Sequence, residues 1–350
     1  MSETPDQAGL IERLGRGPVI CAEGYLFELE RRGYLQAGAF VPEVVLEHPE
    51  AVAELHREFV HAGSDVVEAF TYYAHREKLR LIGKEDQLEQ MNRQALEIAR
   101  GVARDTGTLL AGDICNTNVF APEDPASHAT VRGMFEEQVG WAVEAGVDLI
   151  IGETFQHAKE ALIATEVIKQ TGRPAVIMLA LHRSGDTREG WSPAEAAKRI
   201  EAAGADVVGL NCIRGPQTML PALREVRAAV GVHVAALPVP YRTTAAEPTF
   251  QSLSDPAYPD LPGGRPFPTA LDPFTCNRYE IADFAREAHA IGVNYLGVCC
   301  GAAPHHIRSM AEALGQSPPA SRYSADMSKH AFLGTDKSLK PENLEYAKEL

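Results

Sequence analysis

The chain has 350 residues, 45% of them hydrophobic and 23% charged, with a formal net charge of −15. That size and balance suit one large globular unit, and the acidity speaks against a nucleic-acid partner, which needs a basic face. No stretch reaches the roughly 18 consecutive apolar residues of a membrane span, so a membrane is not expected as a partner either.

The chain opens on a polar, mixed-charge segment, "MSETPDQAGLIERLGRG", that does not read as a secretory signal. Six cysteines in such a chain fit a reducing, cytoplasmic compartment, where thiols serve metal or chemistry more often than disulfides. Continuous apolar runs then recur and predict strands at 18–23, 64–70, 108–113, 147–153, 174–181, 205–211, 232–238 and 293–299. Unbroken rather than alternating apolarity is the mark of strands buried on both faces. Between them lie helical patterns such as "HPEAVAELHREFVHAG" and "SPAEAAKRIEAAGA", opened by capping residues or Pro and closed by Gly. Eight strand–helix units predict a (β/α)₈ TIM barrel, with a doubly wound open sheet as the alternative.

Two regions depart from the repeat. Residues 238–275 hold 9 of the 23 prolines and read as a long loop after strand 7, of a length more often functional than idle. The barrel is expected to end near residue 316. Residues 317–350 show no strand pattern and read as a C-terminal extension that wraps a neighbour or packs outside the barrel.

Barrel chemistry sits at the carboxyl ends of strands. Those ends carry Glu23, Thr71–Tyr72–Tyr73, Asp113, Glu153, His182, Asn211–Cys212, Pro238 and Cys299–Cys300. Any one of the thiols also fits a small buried apolar residue. Cys212 with Cys299 and Cys300, converging from strands 6 and 8, make a soft set of three thiolates suited to Zn²⁺, with a fourth position left open. Cys21 lies within strand 1, and Cys115 and Cys276 are expected on loops. His305–His306 read as a solvated helix cap and His157 as helix surface. Tyr25, Phe27, Phe40, Phe70, Tyr72, Tyr73 and Phe155 gather near one rim, and aromatic faces of this kind suit an onium cation.

The stretch "GVNYLGVCCGAAPHHIRSMAEAL" resembles the double-cysteine motif of the homocysteine S-methyltransferases, and "VVGLNC" looks like their sixth-strand Asn–Cys motif. The segment from "ELERRGYLQAGAF" to "TYYAHREKL" is similar to the betaine-using members. The resemblance spans roughly residues 10 to 316. It implies a zinc-bearing barrel with Cys212, Cys299 and Cys300 as ligands and homocysteine thiolate as the fourth. It further implies that Glu153, with Glu23 and Gly24 after strand 1, holds homocysteine, and that Tyr73, Tyr25, Phe40 and Thr154 line the methyl-donor side. The expected reaction gives methionine and a demethylated amine such as dimethylglycine from a betaine-type donor, in a homo-oligomer (dimer or tetramer). A sulfonium donor (dimethylsulfoniopropionate or S-methylmethionine) and a non-catalytic homocysteine or betaine binder are the alternatives. The sequence departs from the family at three points. "CAEGY" stands where the betaine enzymes carry Asp-Gly-Gly, so Ala22 takes the Asp position, while Phe40 replaces a Trp and Thr154 a Tyr.

Overall fold

The structure, a computed structural model, describes residues 8–349. Eight parallel strands close on themselves in sequence order: β1 (Val19–Ala22), β2 (Val66–Glu68), β3 (Leu109–Cys115), β4 (Leu149–Phe155), β5 (Ala175–Leu179), β6 (Val207–Asn211), β7 (His233–Leu237) and β8 (Tyr295–Val298). Each predicted strand is present, so the (β/α)₈ TIM barrel stands and the open sheet falls. Closure is made by β1 on β8, from Val19 opposite Tyr295 to Ala22 opposite Val298.

A short repeated phrase builds the wall. "AGSDVV" (62–67), "AGVDLI" (145–150) and "AGADVV" (203–208) each end a helix and begin a strand. The glycines take φ of +119°, +80° and +101°, in the left-handed region where only Gly is free of a side-chain clash. The aspartates that follow reach back to the preceding strand. Asp65 accepts from Ile20 N, Asp148 from Leu110 N and Asp206 from Ala175 N, each at 2.8 Å. Backbone donors at the strand starts are thereby satisfied where neighbouring strands diverge.

The helices obey their sequence signals. Pro49–Ala62 and Pro193–Ala202 begin on Pro, and Ser192 caps the second by accepting from Glu195 N at 3.2 Å. Their apolar faces cover the strands, whose residues are buried with the single exception of half-buried His233. No helix among the described residues is long and apolar enough to cross a membrane.

β3 and β4 run two residues further than their apolar runs indicated. Cys115, expected on a loop, is therefore the last residue of β3 and is buried. The segment after β7 folds across the barrel mouth, placing Phe250 and Phe267 against Phe27 at ring separations of 6.0 and 6.4 Å. Among the described residues the last stretch carries short helical turns, at Pro319–Tyr323, Met327–Lys329, Pro341–Tyr346 and Ala347–Glu349. Its first turn is tied to the barrel by Ser321 Oγ donating to Glu312 at 2.8 Å, while Tyr323, Met327, Leu333 and Tyr346 are exposed.

Candidate active site

Three strands bring the thiols together. The Cys212 amide donates to Leu237 O and the Cys299 amide to Pro238 O, both at 2.9 Å, so the end of β7 aligns its two neighbours. The sulfurs of Cys212, Cys299 and Cys300 all lie within 4.8 Å of one another, Cys299 and Cys300 at 3.9 Å. Adjacent side chains normally diverge. Here Gly301, at φ +95°, turns the chain sharply after Cys300, and a Cβ on it would lie 2.2 Å from the Tyr241 hydroxyl. Bonds from the Cys299 and Cys300 thiols hold the Cys212 thiol well below its usual range, whereas burial pushes Cys299 up. Three sulfurs at this spacing, one already inclined to ionise, form a donor set for a soft metal ion.

Against the thiols stands a cluster of acids from the other half of the barrel. Glu23, Glu68, Asp113 and Glu153 are all buried, and they meet in overlapping groups whose oxygens lie within 4.8 Å. Among the described residues, Glu23 Oε1, both Glu68 oxygens and Asp113 Oδ1 have no hydrogen-bond partner. Burial raises all four carboxyls above their ordinary range, Glu153 to about 8. They line an enclosed space of about 20 Å³ together with Tyr25, Tyr72, Cys299 and Cys300. That is room for one water-sized group, and buried carboxylates without cationic partners call for a cationic one. A roomier recess of about 540 Å³ beside Arg183, Arg214 and Thr244 lies apart from the cluster and contains none of these groups.

Asn211 joins the two halves. Its amide nitrogen lies 2.5 Å from Glu153 Oε2, 3.1 Å from Thr154 Oγ1, 3.3 Å from Glu23 Oε2 and 3.9 Å from Cys299 Sγ, while its oxygen accepts from Thr154 N at 2.9 Å. Thr154 in turn donates its hydroxyl to Glu153 at 3.0 Å. The backbone around this hub is strained. Tyr73, Thr154, Cys212 and Ile213 hold φ between +54° and +61°, which β-branched residues such as Thr154 and Ile213 rarely adopt. Each such residue costs on the order of 1–3 kcal/mol, and strain of this kind gathers where a site over-determines the geometry.

The expected site residues fall into three groups. Cys212, Cys299, Cys300, Glu153 and Glu23 meet at the centre, with Gly24 pressed so close to Ala302 that a Cβ there would be 2.6 Å from the Ala302 methyl. Tyr25 lines the acidic space from below, against His56 and Phe59. Phe40 stands apart, packed on Phe27 at 5.7 Å, and Tyr73 lies beside Tyr72 with ring centres 4.2 Å apart. Of the histidine pair, His305 is exposed as expected and His306 is a correction. His306 is buried, with Nδ1 accepting from Ala303 N at 3.1 Å and Nε2 at 3.0 Å from Cys276 O, so it locks a turn beneath the site instead of facing solvent. His157 is half-buried at the start of its helix, 3.2 Å from Glu189. Of the buried acids, Asp113 stands at an expected strand end with no role assigned, and Glu68 is passed over in the sequence reading. An acid in an otherwise apolar run, as in "DVVEAF", was the signal available.

Residues 21–314 match the family model described as homocysteine S-methyltransferase. The chain is 38% identical over 335 residues to the betaine–homocysteine S-methyltransferase 1 of Xenopus tropicalis, covering 92% of this chain and 80% of that protein. It is 36% identical over 323 residues to the S-methylmethionine–homocysteine S-methyltransferase of Pongo abelii, covering 89% and 84%. The metallated form of the Escherichia coli homocysteine methyltransferase MmuM shares the fold with a TM-score of 0.67 at 18% identity, over 86% of this chain and 98% of that one.

Proposed function

The chain belongs to the homocysteine S-methyltransferase family, and from that premise we propose that it moves a methyl group from a betaine-type quaternary ammonium donor to homocysteine, using zinc held by Cys212, Cys299 and Cys300. The observation that carries this reading is the meeting of three strand-end sulfurs within 4.8 Å of one another beside four buried carboxyls, three of which have an oxygen without a hydrogen-bond partner among the described residues. Bound to the three thiolates, zinc would keep a fourth, substrate thiol ionised and electron-rich at neutral pH.

The chain's own groups supply the rest. Glu153, oriented by Asn211 and Thr154, receives the homocysteine ammonium, with Glu23 on its far side. The close approach of Gly24 to Ala302 lets the chain after β1 lie against the double-cysteine turn. Tyr73, Tyr25 and Phe40 are on this reading the aromatic residues of the donor side, although Tyr25 packs on His56 and Phe59 and Phe40 on Phe27. The donor's methyl carbon must lie in line with the homocysteine sulfur. The carbon–sulfur bond forms as the carbon–nitrogen bond breaks, and the nitrogen keeps the electron pair. Methionine and dimethylglycine result, and the amine's lost charge loosens its hold on the rings. No proton is taken from the methyl group, so the transfer itself needs no general base.

A sulfonium donor is the second reading. It is favoured by the 36% identity to the S-methylmethionine–homocysteine S-methyltransferase of Pongo abelii, and by Phe40 and Thr154, which stand where the betaine-using members carry Trp and Tyr. The test is metal analysis together with a donor panel of glycine betaine, dimethylsulfoniopropionate and S-methylmethionine. About one zinc per chain is expected, lost in Cys212→Ala, Cys299→Ala and Cys300→Ala, with methionine formed at least 10³-fold more slowly. Full zinc in all three variants would falsify the ligand assignment. Bound homocysteine with no methionine from any donor would make the protein a binder.

A further inference from the structure

Three connections at the carboxyl end of the barrel meet on one hydroxyl. Tyr241 lies in the segment after β7 and is fully buried. Its amide donates to Val239 O at 2.8 Å, and the residue pairs with Thr275 in an isolated antiparallel bridge. Its ring stacks on Phe250 at 6.0 Å, with 19° between the planes. The hydroxyl accepts from Arg31 Nη2 at 2.9 Å. Arg31 is the last residue of the helix Tyr25–Arg31, which follows β1, and its Nε lies 3.5 Å from Asp272. On its other side the hydroxyl presses on Gly301, the residue after Cys299 and Cys300. A Cβ at Gly301 would lie 2.2 Å from the Tyr241 oxygen and 2.6 Å from the ring carbon that bears it.

The turn that carries the two thiols is closed by the Ala302 amide, which donates to Cys299 O at 3.0 Å. Tyr241 supplies its outer wall. With Gly301 at φ +95°, the ring edge and hydroxyl fill the space that a side chain would take. Burial raises the hydroxyl above its ordinary range, Arg31 opposes that rise, and the charge of Cys300 adds to it. The phenol therefore keeps its proton and lies within electrostatic reach of Cys300. Three thiolates around one divalent ion leave a net negative charge, which a positive group fixed nearby offsets. Arg31 is such a group, joined through Tyr241 to the turn beside the three sulfurs. Asp272 competes little for it, because that side chain is 72% exposed and its pull is screened by solvent.

We propose that Arg31 and Tyr241 are positioning residues for the metal centre: the guanidinium fixes the hydroxyl, and the hydroxyl fixes the turn that holds Cys300 beside Cys212 and Cys299. This rests on the zinc-ligand reading above. Tyr241→Phe keeps the ring on Phe250 and removes the oxygen that Arg31 bonds. Arg31→Met keeps the side-chain stem and removes the charge. Zinc affinity is measured on the full chain by competition with a chelator. Co²⁺ bound in place of zinc reports the thiolate set through its sulfur-to-metal absorption, and urea melts of the metal-free protein run alongside.

Each variant is expected to weaken zinc about 10- to 100-fold and to diminish the Co²⁺–sulfur absorption. Arg31→Lys should recover most of the loss. Because the two residues act as one unit, the double variant should lose no more than either single one. Zinc affinity equal to the parent's in Tyr241→Phe or Arg31→Met overturns the inference. So do losses that multiply in the double variant, or an Arg31→Lys protein no better than Arg31→Met. A fall in metal-free stability with unchanged zinc affinity marks a merely structural role and overturns it as well. A parent chain that takes up no zinc fells the ligand reading and this inference together, whereas a zinc-replete parent with unaffected variants fells this inference alone.

Discussion

The two halves of the barrel mouth solve opposite electrostatic problems. From β1 to β4 come four carboxyls that repel one another across a space too small for more than a water-sized group. From β6 and β8 come three sulfurs, of which one is already drawn toward its thiolate by the other two. The thiol half is organised by backbone, through strained φ at Cys212 and Ile213 and the glycine turn at Gly301. In the acid half Thr154 also holds a positive φ beside Glu153, but Glu68 offers both oxygens to nothing, and its carboxyl is forced toward the neutral form. One half is thus built for a metal and the other for a positive charge that arrives with substrate.

Asn211 is the single described side chain whose amide reaches both halves, and its removal should separate them most sharply. In Asn211→Ala, Glu153 and Glu23 lose an amide donor and the Thr154 backbone N–H loses its side-chain acceptor, at about 1–3 kcal/mol. Homocysteine affinity should fall about 10- to 100-fold, measured by titration of the zinc-loaded protein, while zinc content stays near one per chain. An unchanged homocysteine affinity would show that the halves act without this bridge.

A second substitution breaks the thiol half alone. Gly301→Ala forces a Cβ toward the Tyr241 hydroxyl and an unfavourable left-handed φ, so stability should drop about 1–3 kcal/mol in urea melts and zinc should bind more weakly. A variant as stable and as zinc-replete as the parent would remove the turn from the account.

The smallest effect sharpens the acid half. Each raised carboxyl binds its proton more readily folded than unfolded, so its contribution to the stability of the metal-free fold is full at acid pH. That contribution is lost as pH climbs from about 4.5, the ordinary glutamate value, through about 8, the value at Glu153. Glu68→Gln removes one such group. It should flatten the dependence and gain about 1–3 kcal/mol at pH 8 relative to pH 5, with zinc binding intact. Parallel pH curves for variant and parent would refute the idea that Glu68 is buried uncompensated.

The barrel was legible because its strands are unbroken apolar runs. The helix-ending glycines and strand-opening aspartates punctuate them, and each obeys local steric or hydrogen-bonding rules. The thiols were legible for a related reason: cysteines at the ends of buried strands are conspicuous, and a closed barrel leaves strand ends few places to point. Glu23 and Glu153 stood out as acids at the same ends. Cys115 and His306 were misplaced because nothing local marks where β3 stops or which side of a helix start faces the loop holding Cys276.

What the sequence determined by itself was therefore the closed barrel and the presence of three strand-end thiols, because periodicity and residue chemistry are local properties of the chain. Only the tertiary structure decided that Glu68 and Asp113 share a space with Glu153, that Asn211 joins acids to sulfur, and that Lys78 rests on Tyr73. Those relations hold between residues from different strands, and they exist only once the eight strands have closed and the register has set which side chains look inward.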